Sequence, residues 1–368
     1  MPIDFLDLKT EAFGLDISDL SLKIAQLKKE KKSLVLASFG EESIPPGVIK
    51  NGEIKNEKLL AEIIKGSLKK ASGEAIKTKY VVASLPEEKA YLQVIQLPSM
   101  PEEDLRSAIV FAAENYIPLP IDQVYLDYQV ISRLDHFDVL LAALPKTTVD
   151  PYLSCLEAAG LSVKALEIES LSIARALVGR DFLDRSLLII DLGSTRTSFI
   201  VFAGGSVRFT SSIPVSSSHF TKIIAKAMNI TEVEAEELKI KYGLEEKVKV
   251  KIVEDGKTEL EREKGQIFEA LVPALVDLIQ QIKKHLNYYR EHASHEHLAG
   301  GEKGVSRILF CGGGANLKGL AELLSLELKI PVKLGDPWKN ILVKGQAQSL
   351  GYATVLGLAL RGIKGDTQ

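Results

Sequence analysis

The stretch that decides the fold is residues 188–197, which read LIIDLGSTRT. Its apolar half predicts a buried strand that ends at Asp191, and the following Gly193, Ser194 and Thr195 predict a tight turn into a second strand. A similar order occurs at residues 14–23, GLDISDLSLK, where Asp16 follows the first strand. Because this strand–Asp–turn–strand plan occurs in both parts of the chain, we predict two α/β halves whose turns face a shared cleft.

Glycines and hydroxyl residues after a strand can leave backbone N–H groups available to surround phosphate oxygens. A third segment of this kind, residues 308–316, reads ILFCGGGAN. One such segment usually marks only a strand-to-helix turn, so each of the three is a weak indication by itself. Their order along the chain favours phosphate binding.

The composition favours a two-part protein of the cytoplasm. With 368 residues, of which 46% are hydrophobic, the chain can bury two cores. Its 46 basic and 49 acidic residues give a net charge of −3, which disfavours nucleic acid as a partner. The 2 cysteines do not suggest a secreted disulfide-bonded domain, and residues 1–14 lack the order of a signal peptide. The apolar stretch 350–360 is too short to span a membrane and predicts a buried terminal helix, so we expect no direct membrane insertion.

Hydrophobic periodicity divides the chain further. Strands at 13–16, 21–28 and 33–39 predict an opening β-meander, and residues 89–160 predict a βαββα insert with its first helix at 102–116. A later helix is predicted at 317–328, and the charged segment 245–265 predicts a solvated edge strand. The predicted division is a first lobe of residues 1–88 and 161–180, the insert at 89–160, a second lobe of residues 181–219 and 266–345, a cap at 220–265, and a C-terminal helix at 346–368 that packs back on the first lobe.

The three turn segments, in this order, resemble the actin superfamily of actin, heat-shock chaperone ATPases and sugar kinases. The resemblance implies that the shared cleft is a nucleotide cleft in which two hairpins hold the phosphates of ATP or ADP. It also implies that Asp16 and Asp191 hold Mg²⁺ through water or polarise the attacking water. Glu236 and Lys239 match the helix that contacts ribose and adenine, although an exposed helix face explains them equally well. The candidate nucleotide-binding residues are Asp16, Ser18, Ser21, Lys23, Asp191, Gly193, Ser194, Thr195, Glu236, Lys239, Gly312, Gly313, Gly314 and Ala315.

A closer resemblance covers nearly the whole chain. Residues 45–54, 97–105, 116–120, 126–130 and 357–362 resemble the PilM family of type IV pilus assembly proteins. The resemblance implies that the insert is the subdomain shared with the cell-division protein FtsA. It further implies a cytoplasmic protein, peripheral at the inner face of the cytoplasmic membrane, that binds the N-terminal tail of PilN in a groove between the insert and the first half. Other pilus platform proteins are implied as partners, and self-association is left open.

The first turn departs from the family pattern, Asp-Ile-Gly-Ser-Ser-Ser. Ser18 replaces the glycine, Asp19 and Leu20 replace hydroxyl residues, and Ser216 and Ser217 replace a later glycine pair. A carboxylate at Asp19 repels a triphosphate unless it points away or is neutralised by Mg²⁺. We therefore expect impaired ATP binding and at most weak hydrolysis, which is typical of a scaffold rather than an enzyme.

Two alternatives come from the same superfamily. An FtsA-like division protein would tether polymers to the membrane, and its amphipathic helix is not evident after Arg361. A small-molecule kinase would need a substrate-binding acid and an intact first turn, and neither is evident.

Two further patterns are ambiguous. His292, His295 and His297 with Glu296 have spacing that a transition metal can use, but solvated loop residues explain them better. The apolar side chains of the helix at 102–116 belong to the insert core or to a partner groove, and the pattern does not separate these; they are Leu105, Ile109, Phe111 and Ala112.

Overall fold

The computed structural model describes residues 11–31, 33–179, 182, 185–244, 249–254, 258–263, 266–292, 304–343 and 349–364. The chain divides into two compact units. The first consists of Met1–Asp184, Phe202–Ser211 and Asp336–Gln368, and the second of Arg185–Val201 and Ser212–Gly335. None of the described helices combines the length and apolar character needed to cross a bilayer.

The elements follow one another in an alternating α/β order. Up to Leu177 they are β1 (Phe13–Ile17), β2 (Ser21–Glu30), β3 (Ser33–Ser43), β4 (Ile49–Lys50), β5 (Glu53–Ile54), α1 (Glu57–Lys70), β6 (Ser72–Gly73), β7 (Tyr80–Leu85), β8 (Tyr91–Pro98), α2 (Glu102–Ala113), β9 (Val124–Arg133), β10 (His136–Pro145), α3 (Lys146–Ala158), β11 (Ser162–Ile168) and α4 (Glu169–Leu177). Beyond it they are β12 (Leu187–Leu192), β13 (Thr197–Ala203), β14 (Ser206–Ile213), α5 (Ser217–Met228), α6 (Glu232–Tyr242), β15 (Lys249–Glu254), β16 (Thr258–Glu263), α7 (Gln266–His292), β17 (Arg307–Cys311), α8 (Leu320–Leu328), β18 (Val332–Leu334), β19 (Ile341–Leu342) and α9 (Ala353–Lys364).

The main sheet of the first unit has the strand order β11-β7-β1-β2-β3-β19, with β6 on β3. The predicted meander is confirmed, because β1, β2 and β3 are consecutive antiparallel neighbours. Helix α9 packs so closely on β1 that a Cβ at Gly14 would lie 2.5 Å from the Val355 carbonyl oxygen. The buried carboxylate of Glu167 binds Arg175 and lies 3.2 Å from Arg361, which fastens α9 to the end of β11.

The insert forms its own small layer within the first unit. Strand β10 pairs antiparallel with β8 on one side and with β9 on the other, and Phe209 of β14 pairs with Gln93 of β8. Helix α2 covers one face of this sheet. The buried core between them consists of Ile95, Leu97, Leu105, Ile109, Ala113, Ile117, Val124, Phe137, Val139, Leu141 and Ala143. The predicted element order of the insert is confirmed, while the finer division of the chain into subdomains stays a prediction.

The second unit is built on the strand order β18-β17-β12-β13, in which β12, β17 and β18 are parallel. Helix α7 buries Leu271, Leu275, Leu278 and Ile282 at helical spacing, as its periodicity predicts. The ring of Phe199 lies 4.4 Å from the ring of His285 on this helix. The prediction of a single edge strand in the charged segment is wrong, because the segment contains two strands, β15 and β16, that pair antiparallel with each other as a separate sheet.

Several predicted bounds were wrong. Strands β2 and β3 extend to Glu30 and Ser43 rather than ending at 28 and 39, and the bounds of three helices differ from the prediction next to Gly or Pro. Helix α2 ends at Ala113 rather than 116, since Pro118 restricts the preceding backbone and the chain closes with tighter turns. Helix α8 begins at Leu320 rather than 317, because a 3₁₀ turn occupies Gly313–Asn316 and Gly319 has φ +80°. Helix α9 begins at Ala353 rather than 350, because a 3₁₀ turn occupies Leu350–Tyr352, and it extends to Lys364 rather than 360.

Candidate functional site

The first candidate turn follows β1 and is closed by a serine. The Ser18 N–H donates to the Ser21 carbonyl oxygen over 2.9 Å, and the Ser18 hydroxyl oxygen lies 3.0 Å from both the carbonyl and the hydroxyl oxygen of Ser21. The Ile44 N–H donates to the Leu20 carbonyl. The serine in the place of the family glycine therefore stabilises the turn with its own side chain.

Asp16 lies near the end of β1, and one of its carboxylate oxygens accepts no hydrogen bond from the described residues. It is 6% exposed, and its Oδ1 has no hydrogen-bond partner among the described residues. Burial raises the pKa of Asp16, and the nearby Lys23 and a hydrogen bond with Ser84 offset this only in part. A buried carboxylate oxygen without a donor suits a hydrated divalent cation, so Asp16 fits the Mg²⁺ role that the resemblance implies.

Lys23 lies on β2 directly opposite Asp16. Its side chain is 15% exposed, and its ammonium nitrogen lies 3.0 Å from the Ser21 hydroxyl oxygen and 3.5 Å from Glu41 Oε1. The only cation that sequence analysis assigned to this turn is thus held beside it, and it is already paired with a carboxylate.

The Asp19 carboxylate is directed to the hairpin turn between β4 and β5. Its two oxygens accept hydrogen bonds from the N–H groups of Asn51 and Gly52, both over 2.9 Å. These two residues have φ of +51° and +71°, the pair of left-handed conformations that an Asn-Gly hairpin turn adopts. Tyr152 of α3 donates to the Gly52 carbonyl over 3.1 Å. The repulsion expected at Asp19 is therefore reduced, because two N–H dipoles compensate its charge.

The second candidate turn lies between β12 and β13 and rests on the start of α5. The Gly193 N–H donates to the Arg196 carbonyl over 2.9 Å, and the carbonyls of Gly193 and Ser194 accept from the N–H groups of Ser217 and Ser218 over 3.0 and 3.1 Å. Asp191 and Thr195 are half-buried and Ser194 is exposed. The Ser194 side chain of this turn is therefore exposed, and the Asp191 carboxylate is partly accessible.

Two glycines of the third segment, Gly312 and Gly314, lie too close to β12 to carry a side chain. Gly312 has φ +87°, and a Cβ there would lie 2.4 Å from Asp191 Oδ1. A Cβ at Gly314 would lie 2.5 Å from the Leu192 side chain, whereas one at Gly313 would meet nothing within 4 Å. The Cys311 sulfur lies 3.7 Å from Asp191 Oδ1, and burial, together with that carboxylate, raises the pKa of the thiol. The glycines thus bring this segment, with buried Ala315, against the end of β12.

Lys239 is not on an exposed helix face, so that alternative is wrong for this residue. It is 5% exposed, and its ammonium lies within 3.1 Å of four acceptors, which exceeds its three N–H groups. Two belong to Ser217, one to Thr221 and one to Glu236. Lys239 therefore joins α6 to the beginning of α5, while the Glu236 side chain remains 45% exposed.

The serines that replace the family's later glycine pair have structural roles. Ser216 is the N-cap of α5, and its hydroxyl accepts from the His219 N–H over 3.2 Å. Ser217 contributes both its carbonyl and its hydroxyl oxygen to Lys239. A capping serine is a common start for a helix, so this departure alters the local bonding without disrupting the helix.

The structure shows which apolar side chains of α2 belong to the insert core and which are exposed, a distinction that the sequence pattern does not make. Leu105 and Ile109 of α2 are buried, Ala112 packs partly against the core, and Phe111 is 74% exposed. On β9, Leu126 packs toward the α2 core, so the adjacent Tyr125 projects from the opposite face. Tyr125 is 46% exposed and donates to Asp150 of α3 over 3.0 Å.

The histidine cluster lies outside the described side chains, since those of His292, His295, Glu296 and His297 are not among them, so neither a metal site nor solvated loop residues is tested there. Within the described part of the chain, no group of three or more His, Cys, Asp or Glu residues could hold a metal ion.

Sequence analysis missed Glu41, Tyr152 and the turn at Asn51 and Gly52. The Asn-Gly pair is itself a strong hairpin signal and could have been recognised. Glu41 could have been found only from the register of β2 and β3, which places it opposite Lys23.

Comparison with known proteins gives consistent findings. The family model described as Type IV pilus assembly protein PilM matches residues 14–363. The chain is similar to a solved structure of the PilM-PilN type IV pilus biogenesis complex, with a TM-score of 0.79 and 28% identity over 96% of this chain and 99% of that chain. MreB 5 of Spiroplasma citri bound to AMPPNP shares the fold, with a TM-score of 0.56 and 15% identity over 96% of each chain. These neighbours confirm the predicted actin-like fold class.

The cell division protein FtsA of Pseudomonas aeruginosa is 27% identical over 218 residues, which covers 57% of this chain and 50% of that protein. The chain spans about half the length of the curated relatives it matches.

Proposed function

The chain belongs to the family of the type IV pilus assembly protein PilM, and from this we propose that it is a scaffold of the pilus assembly platform that binds the N-terminal cytoplasmic tail of PilN. The observation that carries the proposal is the similarity to a PilM-PilN complex over 96% of this chain. The scaffold is held at the inner face of the cytoplasmic membrane through such partners. Other platform proteins and further copies of the chain are additional partners within this proposal.

We place the peptide site where the insert meets the rest of the first unit. Helix α3 forms this junction: Tyr152 bonds to Gly52 of the β4–β5 turn, and the Ser154 hydroxyl lies 2.8 Å from Glu57 Oε2 of α1. Tyr125 lies at the edge of the junction, with the Lys146 ammonium 5.7 Å from its ring centroid. An exposed tyrosine beside a cation is typical of a peptide-binding surface, because it offers both apolar area and a polar group.

Two exposed aromatic residues on opposite sides of the insert, Tyr125 of β9 and Phe111 of α2, test this placement. We expect Tyr125→Ala to weaken binding of the cognate PilN tail peptide to the full chain by at least about tenfold in calorimetric titration, the loss typical of an aromatic anchor. Phe111→Ala, on the outer face of α2, should leave the affinity unchanged. A loss with Phe111→Ala alone would move the site to the other face of the insert, and wild-type protein that binds no tail peptide would overturn the scaffold proposal.

We also propose that the candidate turns bind ATP or ADP with Mg²⁺. The support is the free oxygen on buried Asp16, the accessible Asp191 turn and the open space at Gly313. Mg²⁺, when bound, would offset the charge between phosphate oxygens and these carboxylates. Lys23, Ser18 and Ser21 would bind phosphate in the first unit. In the second unit that role falls to Gly193, Ser194 and Thr195, with Glu236 toward the nucleoside. Lys239 acts indirectly, by holding α5 in place.

We propose further that the protein hydrolyses bound ATP slowly or not at all. Titration of labelled ATP and ADP with Mg²⁺, followed by phosphate release over hours, tests both parts. We expect measurable binding of both nucleotides, a loss of that binding in Asp191→Ala, and no steady phosphate release. Absence of binding would refute the nucleotide site, whereas micromolar affinity with steady turnover would show that the protein is an enzyme.

A further inference from the structure

Three charged side chains form a row across the meander. Asp16 of β1 pairs in register with Lys23 of β2, and Lys23 pairs in register with Glu41 of β3. Residues directly opposite each other on neighbouring strands project from the same face of a sheet, so the single ammonium lies between two carboxylates. Asp16 is the buried member, and the Glu41 side chain is 52% exposed.

In this row the single positive charge of Lys23 can interact either with Glu41 or with a nucleotide phosphate. When both carboxylates are ionised, the three groups carry one net negative charge, and a nucleotide phosphate would add more. Lys23 is the cation in this row that can offset phosphate charge, yet its nitrogen lies 3.5 Å from Glu41 Oε1. An ammonium shared with a carboxylate attracts an arriving anion less strongly than one held only by hydroxyl groups.

Glu41 can be released from Lys23 without being buried. It lines a cavity of about 250 Å³ together with Glu42 and Tyr352. Burial, with a contribution from the Glu41 charge, raises the pKa of Tyr352 to about 12. Because this space is open to water, the carboxylate can be hydrated once Lys23 turns to another anion.

We propose that Glu41 is a positioning residue that competes with nucleotide phosphate for Lys23 and thereby weakens binding at the first turn. The proposal rests on the proposed nucleotide function and identifies a source of weakness that is independent of Asp19. Nucleotide binding releases Lys23 from Glu41, so the weakening grows with the phosphate charge of the ligand. Adenosine, which has no phosphate, is unaffected.

The next residue on β3 provides a matched control. Glu42 projects from the opposite face of the strand and pairs with Lys70 of α1 at 2.8 Å. Glu41→Gln and Glu42→Gln remove the same charge from adjacent positions, and each breaks one partly exposed ion pair. An effect of net charge alone would be equal in the two variants.

The experiment is calorimetric titration of the full chain with Mg-ADP, Mg-ATP and adenosine at low and at physiological ionic strength. We expect Glu41→Gln to bind Mg-ADP roughly two- to fivefold more tightly than wild type, the range of a partly exposed ion pair, with a smaller gain at higher salt. Adenosine affinity should not change, Glu42→Gln should match wild type, and Lys23→Ala combined with Glu41→Gln should show no gain over Lys23→Ala.

The outcomes separate the two proposals. If wild type binds Mg-ADP and Glu41→Gln binds it equally or less tightly, or if the gain persists without Lys23, the inference about Glu41 is wrong and the nucleotide site stands. If neither protein binds nucleotide although urea unfolding shows both folded, the nucleotide proposal fails and the inference fails with it.

Discussion

The carboxylate of Asp19 accepts a hydrogen bond from the Gly52 N–H over 2.9 Å, and this bond ties the first candidate turn to the β4–β5 hairpin. The same hairpin is held from its other side by Tyr152 of α3. One hairpin within the first unit thus contacts both the turn proposed to bind phosphate and the helix that joins the insert. Asp19, which departs from the family pattern at this turn, therefore contributes to the packing of the first unit.

Removing this fastening should lower stability. We expect Asp19→Ala to reduce the free energy of unfolding by about 1–2 kcal/mol, since the N–H groups of Asn51 and Gly52 lose a charged acceptor. Urea unfolding measures the change, and Glu62→Ala, at an exposed position on α1, is the control. Equal unfolding midpoints for the two variants would show that the Asp19 bonds contribute nothing.

The same hairpin should respond to acid through Glu53. Hydrogen bonds and charges from Lys55 and Lys89 lower the pKa of Glu53 to about 2, well below the value of about 4.3 in an unfolded chain. A lowered pKa stabilises the fold above the unfolded value, and this contribution is lost as pH falls through the folded value.

We therefore expect Glu53→Gln to have a slightly lower urea midpoint than wild type at pH 7, and the difference to close between about pH 4.3 and 2. High salt should reduce the difference, because the ion pairs of Glu53 with Lys55 and Lys89 are at least partly exposed. A difference that widens on acidification would contradict this assignment.

The sequence predicted most of the strands but few of the partners of the polar residues. Strands β1, β2 and β3 begin at their predicted first residues, 13, 21 and 33, because an alternating or apolar run between turn residues is a local signal. The hydrogen bonds of Lys239 with Ser217 and the bond between Asp19 and Gly52 join residues that are far apart in sequence. Such contacts depend on which elements pack together, and periodicity carries no information about that.

The buried ammonium of Lys239 gives a test of long-range bonding in the second unit. We expect Lys239→Met to lower the free energy of unfolding by about 2–4 kcal/mol, because the Ser217 and Thr221 oxygens and the Glu236 carboxylate lose their shared donor. Lys222→Ala, an exposed lysine on α5, should change it by less than about 0.5 kcal/mol. If the two variants unfold alike in urea, Lys239 does not hold α5 and α6 together.

Substitution by alanine should affect stability differently at two adjacent glycines in the third segment. Gly312→Ala places a methyl group 2.4 Å from Asp191 Oδ1 at a residue with φ +87°, so we expect a loss of more than about 2 kcal/mol in the free energy of unfolding. Gly313→Ala meets nothing within 4 Å and should be neutral within about 1 kcal/mol. Urea unfolding distinguishes the two.

Nucleotide titration then separates packing from binding at this segment. If the space at Gly313 admits part of a nucleotide, Gly313→Ala should weaken Mg-ADP binding while leaving the unfolding curve unchanged. An unchanged affinity would mean that this glycine cluster serves only to bring β17 against the end of β12. Its resemblance to a nucleotide-binding segment would then reflect the fold alone.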